Sequence, residues 1–141
     1  MKGKNFISFK DYIKAEEFLR DCLKKDPNYA PALSDLAGLQ IRKLEYKEAV
    51  ATTSKALAID TYNPAANYYY GLANLHLGNA TDAKDGFDIA AASVEYRSPA
   101  YTAVSKIYFA ENDRAKAIEY AEKSLLNNQN NLEGLQLLAV I

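Results

Sequence analysis

Four alanines, Ala15, Ala49, Ala83 and Ala117, stand 34 residues apart without a slip. Ala32, Ala66 and Ala100 recur at the same interval, as do the small residues Ala37, Gly71, Ser105 and Ala139. Cys22, Ala56, Ala90 and Ser124 form another small series, and Leu36, Tyr70, Val104 and Leu138 form a bulky one in phase with it. A fixed period of this length limits the chain to stacked copies of one supersecondary unit, each burying its apolar face only against its neighbours. Small residues at fixed places let two helices approach closely, and bulky ones fill the hollows between them.

Each period carries two apolar stripes at helical spacing. The first runs through Leu33, Leu36, Ala37 and Gln40, and again through Tyr101, Val104, Ser105 and Tyr108. The second runs through Tyr46, Ala49, Thr53 and Ala56, and again through Ala80, Ala83, Phe87 and Ala90. Between them fall Asp26-Pro27-Asn28, Thr61-Tyr62-Asn63-Pro64, Leu77-Gly78-Asn79, Arg97-Ser98-Pro99 and Asn127-Asn128-Gln129-Asn130, all helix breakers. These signals predict eight helices near 9–25, 30–43, 46–59, 64–77, 80–93, 98–110, 114–127 and 131–141. Pro31, Pro64 and Pro99 are each expected in a first helical turn, where a missing N–H costs nothing. No stretch alternates apolar and polar residues long enough to predict a strand.

Composition narrows the chemistry. Seventeen basic against 18 acidic residues leave a net charge of -1, without the basic surplus of a general nucleic-acid binder. Residues 1–26 carry seven basic and five acidic side chains, a small offset that solvated helix faces explain. One Cys and one His exclude an internal disulfide and a Cys/His zinc site, so neither metal nor cofactor is expected. Cys22 falls in a packing series, where a buried inert thiol is the expectation, and His76 has no second ligand or base placed with it. Asp82, Asp85 and Asp88 share one helix and read as solvated charge. No Gly-rich phosphate loop and no acid–base or nucleophile constellation is present, so the chain is not expected to be an enzyme. No apolar run approaches the roughly 18 residues that span a bilayer, and no membrane insertion is expected. The opening Met1-Lys2-Gly3-Lys4-Asn5-Phe6-Ile7-Ser8-Phe9 is not a secretory leader, which favours the cytoplasm, although a piece of an exported parent would read the same way.

The 34-residue helix–turn–helix period resembles the tetratricopeptide repeat. That family places bulky, bulky, small and bulky residues at repeat positions 4, 7, 8 and 11, an aromatic at 17, small residues at 20 and 27, a bulky one at 24 and Pro at 32. One copy here supplies Leu33, Leu36, Ala37, Gln40, Tyr46, Ala49, Thr53, Ala56 and Thr61. The next supplies Asn67, Tyr70, Gly71, Asn74, Ala80, Ala83, Phe87, Ala90 and Glu95, with Gly78 at the family's turn glycine. The last full copy supplies Tyr101, Val104, Ser105, Tyr108, Arg114, Ala117, Ala121, Ser124 and Gln129. Gln40, Asn67 and Asn74 depart from the bulky pattern, and only Pro27 keeps the closing proline. A second resemblance, over Ile59-Asp60-Thr61-Tyr62-Asn63-Pro64-Ala65-Ala66-Asn67-Tyr68-Tyr69-Tyr70-Gly71-Leu72, is to the C-terminal repeat region of large bacterial proteins with an N-terminal β-rich domain of unknown function.

The resemblance implies an all-α, right-handed superhelical solenoid of about eight helices. Its units would be a half repeat at 9–29, full repeats at 30–63, 64–97 and 98–131, and a truncated first helix at 132–141. Opening on a second helix and closing on Leu137-Leu138-Ala139-Val140-Ile141 reads as a piece cut from a longer array, or as a last helix covered by a neighbouring molecule.

In the resembling family the first helices line a concave face through repeat positions 2, 5, 9 and 12, flanked by 6 and 13. At 100° per residue these positions point away from the core stripe. Carried over, they name Ser34, Asp35, Gly38, Ile41 and Arg42, then Tyr68, Tyr69, Leu72, Leu75 and His76, then Thr102, Lys106 and Phe109, with Gln136 on the closing helix. Tyr68 and Tyr69 are either ligand contacts or covers for the inner helices, and Tyr70 belongs to the core. The family's clamp for a C-terminal carboxylate is absent, since its Lys and Asn positions hold Ser34, Gly38, Tyr69, Pro99 and Ala103. The leading expectation is a non-catalytic protein-interaction module that takes a peptide or helix of a partner in this groove, with Asp35, Arg42 and Lys106 orienting it. The alternative is a structural spacer or self-assembly element, a homo-oligomer joined through exposed terminal helices. An RNA-binding helical-hairpin array of similar period does not fit the charge.

Overall fold

The computed structural model describes residues 9–127 and 131–141. Its helices are α1 (Phe9–Lys25), α2 (Ala30–Arg42), α3 (Tyr46–Ile59), α4 (Pro64–His76), α5 (Ala80–Ala90), α6 (Val94–Ala110), α7 (Arg114–Asn127) and α8 (Leu132–Val140). No strand occurs among the described residues, and the breaker expected at 128–130 lies outside them. Helices pack as successive pairs, α2 on α3, α4 on α5 and α6 on α7, and each second helix also meets the first helix of the next pair. The first helices α2, α4, α6 and α8 touch one another in turn, whereas successive second helices α1, α3, α5 and α7 do not. The array therefore curves with its first helices on the inside.

The small-residue series is what allows the pairing. Ala49, Ala83 and Ala117 are fully excluded from solvent, as are Ala56, Ala90 and Ser124. Gly71 lies so close to the buried Phe87 that a Cβ would sit 2.8 Å from the ring. Phe87 belongs to a core shared by α5 and α6, with Ala83, Ala90, Ala100, Val104 and Ile107.

The polar departures on α4 are buried and satisfied. Asn67 Nδ2 donates to the carbonyls of Thr61 (3.0 Å) and Asn63 (2.9 Å). Asn74 Nδ2 donates to Tyr70 (2.9 Å), and its Oδ1 accepts from Asn79 Nδ2 at 3.1 Å. At the corresponding place on α2, Gln40 Oε1 is buried without a partner, because the counterpart of Asn79 is Glu45, whose carboxylate cannot donate. Cys22 is half-buried.

Each helix pair closes through a residue in the left-handed region: Leu44 (φ 64°), Gly78 (φ 85°) and Asn112 (φ 64°), 34 residues apart. The next residue returns its N–H to the helix, Glu45 to Gln40, Asn79 to Asn74 and Asp113 to Tyr108, at 2.8, 2.8 and 2.9 Å. Glycine takes this conformation freely, and asparagine tolerates it.

Most helix limits fall within a residue of expectation. The exception is the α5–α6 connection. Helix α5 ends at Ala90 rather than 93, and α6 begins at Val94 rather than 98, which places Pro99 inside the helix instead of in its first turn. The extra turn is held by Arg97, whose guanidinium donates to the carbonyls of Ala91 (2.9 Å) and Ala92 (3.0 Å). Pro99 is exposed, so its ring has room, and the carbonyl it leaves unpaired, that of exposed Glu95, is one that water can reach.

Candidate functional site

The inner face is built by the first helices. Asp35 and Arg42 are exposed on α2, two turns apart, with Gly38 half-buried between them. Tyr69 of α4 reaches back across this seam: a Cβ on Gly38 would lie 3.0 to 3.2 Å from its ring and hydroxyl. A side chain at Gly38 would need the end of the Tyr69 ring to give by a few tenths of an ångström. Ala15, Phe18 and Leu19 of α1 join Asp35, Gly38, Leu39, Arg42 and Tyr69 around a cleft of about 390 Å³. Phe18 is 67% exposed.

Tyr68 lies deeper. Its ring meets Phe87 edge-on (centroids 5.7 Å apart), Tyr69 at 6.0 Å and Tyr96 at 5.2 Å. Burial pushes its phenol pKa up, with the charges of Glu133 and Tyr69 adding to the effect. The Tyr96 phenol is pushed up to about 12, first by burial and then by Tyr69, Glu95 and Asp35 around it. Leu72 and Leu75 are half-buried against the α5–α6 core.

Two residues expected on this face are instead enclosed between repeats. Ser34 is 3% exposed, and its hydroxyl donates to Asn63 Oδ1 at 3.4 Å. Thr102, also 3% exposed, donates to the Ser98 carbonyl at 2.9 Å and accepts from Asn131 Nδ2 at 2.8 Å. Lys106 is exposed and ion-paired with Glu133 of α8. Phe109 and His76 are exposed, and the His76 imidazole stacks on Tyr46 of α3 with centroids 4.4 Å apart and planes 7° from parallel. Asp35, Gly38, Arg42 and Tyr69 thus line one cleft, with Tyr68 against Tyr69 and Lys106 drawn to Glu133 of α8.

Sequence reasoning passed over Phe18, Glu95 and Tyr96. Phe18 belongs to a second helix, which the groove positions do not sample. Tyr96 and Glu95 fall in the turn that α6 gains, and the only signal for that turn was Ser93 placed to begin a helix. Among the described residues no group of His, Cys, Asp and Glu could hold a metal ion, and no helix is long and apolar enough to cross a membrane.

A tetratricopeptide repeat family model matches residues 6–57. The chain is similar to the crystal structure of MamA, with a TM-score of 0.84 and 22% identity over 96% of this chain and 83% of that one. It is similar to PilF of Pseudomonas aeruginosa, with a TM-score of 0.81 and 29% identity over 93% of this chain and 62% of PilF. The first repeat domain of Spaghetti (RPAP3), solved bound to the HSP90 peptide SRMEEVD, gives a TM-score of 0.72 and 23% identity over 79% of this chain and 88% of that one. Comparison with curated protein sequences finds no significant match. Residues 6–57 thus match the tetratricopeptide repeat family, and the helices stacked in successive pairs on a 34-residue period share the fold of these repeat structures.

Proposed function

We propose that the chain binds an extended peptide or a helix of a partner protein along the inner face of its first helices, without catalysing a reaction. The observation that carries this reading is Tyr69, laid half-exposed across Gly38 beside the open Phe18 ring. A large rigid ring with a polar tip gives much contact area at little entropic cost. Asp35 and Arg42, exposed on the same cleft, would set the orientation of the bound segment. The ligand contacts are assigned to Asp35, Gly38, Arg42, Tyr68 and Tyr69. Ser34 and Thr102 hold the repeats together beneath them. A random peptide library displayed against the wild type and against Tyr69→Ala tests the reading. Binders retained by the wild type and lost by the variant are expected, and binders indifferent to Tyr69 would move the site elsewhere.

A second reading is self-association through the end helices. It draws on Ile13 and Phe18 of α1 and on Leu132, Leu135 and Val140 of α8, all exposed. Sedimentation equilibrium would then show a concentration-dependent mass that Leu135→Glu abolishes, and a monomer at every concentration would end this reading.

A further inference from the structure

The chain covers several of its own tyrosine faces with its own lysines. Lys84 stands 4.4 Å from the centroid of Tyr108, with Lys116 at 5.7 Å, and Lys123 stands 4.7 Å from Tyr120 and 5.6 Å from Tyr101. None of these cations lies on Tyr68, Tyr69 or Tyr96. Those three rings are splayed rather than stacked, with planes 57° apart for Tyr68 and Tyr69 and 37° apart for Tyr68 and Tyr96, so each pair forms a notch between ring faces.

Carboxylates flank the notches. Asp35 shares the cleft with Tyr69, and Glu95 precedes Tyr96 in the first turn of α6. Neither carboxylate has an ion pair or a hydrogen bond to a side chain among the described residues. A first-turn acid has a structural reason at Glu95, where the helix dipole favours it, but Asp35 sits mid-helix and has none. The cations of this face are engaged or distant. Lys106 is paired with Glu133, Arg97 donates to Ala91 and Ala92, and Arg42 lies about 10 Å along α2 from Asp35 at 1.5 Å rise per residue. Burial is the main reason the Tyr96 phenol is pushed up, and the nearby charges of Glu95 and Asp35, which add to it, are ones that favour a positive charge beside them.

Resting on the groove reading above, we infer that the inner face takes a basic peptide segment, with an arginine or lysine of the partner lying against Tyr69 and Tyr96 and countered by Asp35 and Glu95. A cation over a tyrosine face gains from the ring quadrupole, and a guanidinium also stacks flat on it. The charge preference is opposite to that of the acidic SRMEEVD held by the Spaghetti domain. It agrees with the absence of a carboxylate clamp at Ser34, Gly38, Tyr69, Pro99 and Ala103.

The test uses the displayed random library and then synthetic peptides made from its leading binders. Arginine and lysine should be enriched among Tyr69-dependent binders. A synthetic binder should lose about tenfold in affinity to Asp35→Asn/Glu95→Gln, about 1.4 kcal/mol. Replacing its basic residue by glutamate should abolish binding to the wild type. Both substitutions are at exposed carboxylates, so an unchanged circular dichroism spectrum is expected to accompany the loss. Tyr69-dependent binders that show no basic preference, or whose affinity ignores the double variant, would overturn this inference and leave the groove reading standing. A library that yields no Tyr69-dependent binder would overturn both.

Discussion

The outer repeats and the central one solve the same three problems differently. At the inner junction, the outer repeats place a hydroxyl against an asparagine 29 residues on, Ser34 with Asn63 and Thr102 with Asn131. The central repeat places Tyr68 there, against Tyr96 and Phe87. Between repeats, the first and last junctions use an ion pair at matching places with the charges reversed, Glu16 to Lys43 at 2.8 Å and Lys84 to Glu111 at 3.1 Å. The junction between them has Val50 and Leu77 at those places. At the turn, the outer repeats force Leu44 and Asn112 into the left-handed region, and the central one uses Gly78. A small buried polar pair locks two helices and leaves nothing over for a ligand. An aromatic cluster packs the helices and still presents ring surface on the inner face. On the groove reading proposed above, recognition would centre on Tyr68 and Tyr69, where the polar lock is missing.

The comparison is most easily broken at Phe87. Its ring is fully buried under Gly71 and meets Tyr68 edge-on, so Phe87→Ala should cost about 3–5 kcal/mol in chemical denaturation. A loss under about 1 kcal/mol would mean that the aromatic junction is decoration on a fold held by its outer repeats. Next comes Thr102→Val, which keeps the shape but removes the hydroxyl that bonds Ser98 and Asn131, leaving the Asn131 amide only Ser124 Oγ at 3.2 Å. A cost of about 1–2 kcal/mol is expected, and a neutral result would show that the polar lock contributes no stability. At the turn, Leu44→Gly should raise stability by about 1 kcal/mol, because the left-handed strain of a leucine that is 69% exposed is removed without loss of packing. Asn112→Gly should gain less, since asparagine already tolerates the conformation.

The smallest effect is on the ion pair. Hydrogen bonds from Lys43 and then Arg20 hold the Glu16 carboxyl below the usual carboxylate range. A depressed folded pKa gives stability that is present above the ordinary carboxylate pKa and lost as pH falls through the depressed one. For a pair this accessible the contribution is under about 1 kcal/mol. A pH series of denaturation midpoints should show this loss in the wild type and not in Glu16→Gln. Exchanging the charges with Glu16→Lys and Lys43→Glu together should restore only part of what either single change loses, because Arg20 and Glu45 beside the pair would then face like charges.

Much of the fold was legible because a solenoid writes its packing as spacing. The alanine series marked the contacts of α2 with α3, α4 with α5 and α6 with α7, and those alanines are the residues that lose all solvent contact. The site was less legible. A helical wheel places Ser34 and Thr102 opposite the core stripe, and it has no term for the asparagine before the next repeat's first helix that closes over each of them. That closure did leave a trace, since Asn63 and Asn131 are two periods apart and each follows its hydroxyl partner by the same interval. Glu133 likewise follows Lys106 by the 27 residues that separate Glu16 from Lys43. The early start of α6 was hidden because Pro99 sits where a first-turn proline would sit, and the Arg97 side chain that secures the added turn acts through backbone carbonyls, which carry no sequence signature.

Contact along the inner ridge, without contact between successive outer helices, gives the array the mechanics of a leaf spring. Flexing that opens or closes the outer gaps disturbs few packed atoms, while stretching the inner ridge would pull Tyr69 off Gly38 and Asn63 away from Ser34. A segment tied at both Asp35 and Glu95 would fix the length of that ridge and stiffen the coil. Small-angle scattering would register such a ligand as a narrower distribution of end-to-end distances, so occupancy at the centre of the chain would be felt at both of its ends.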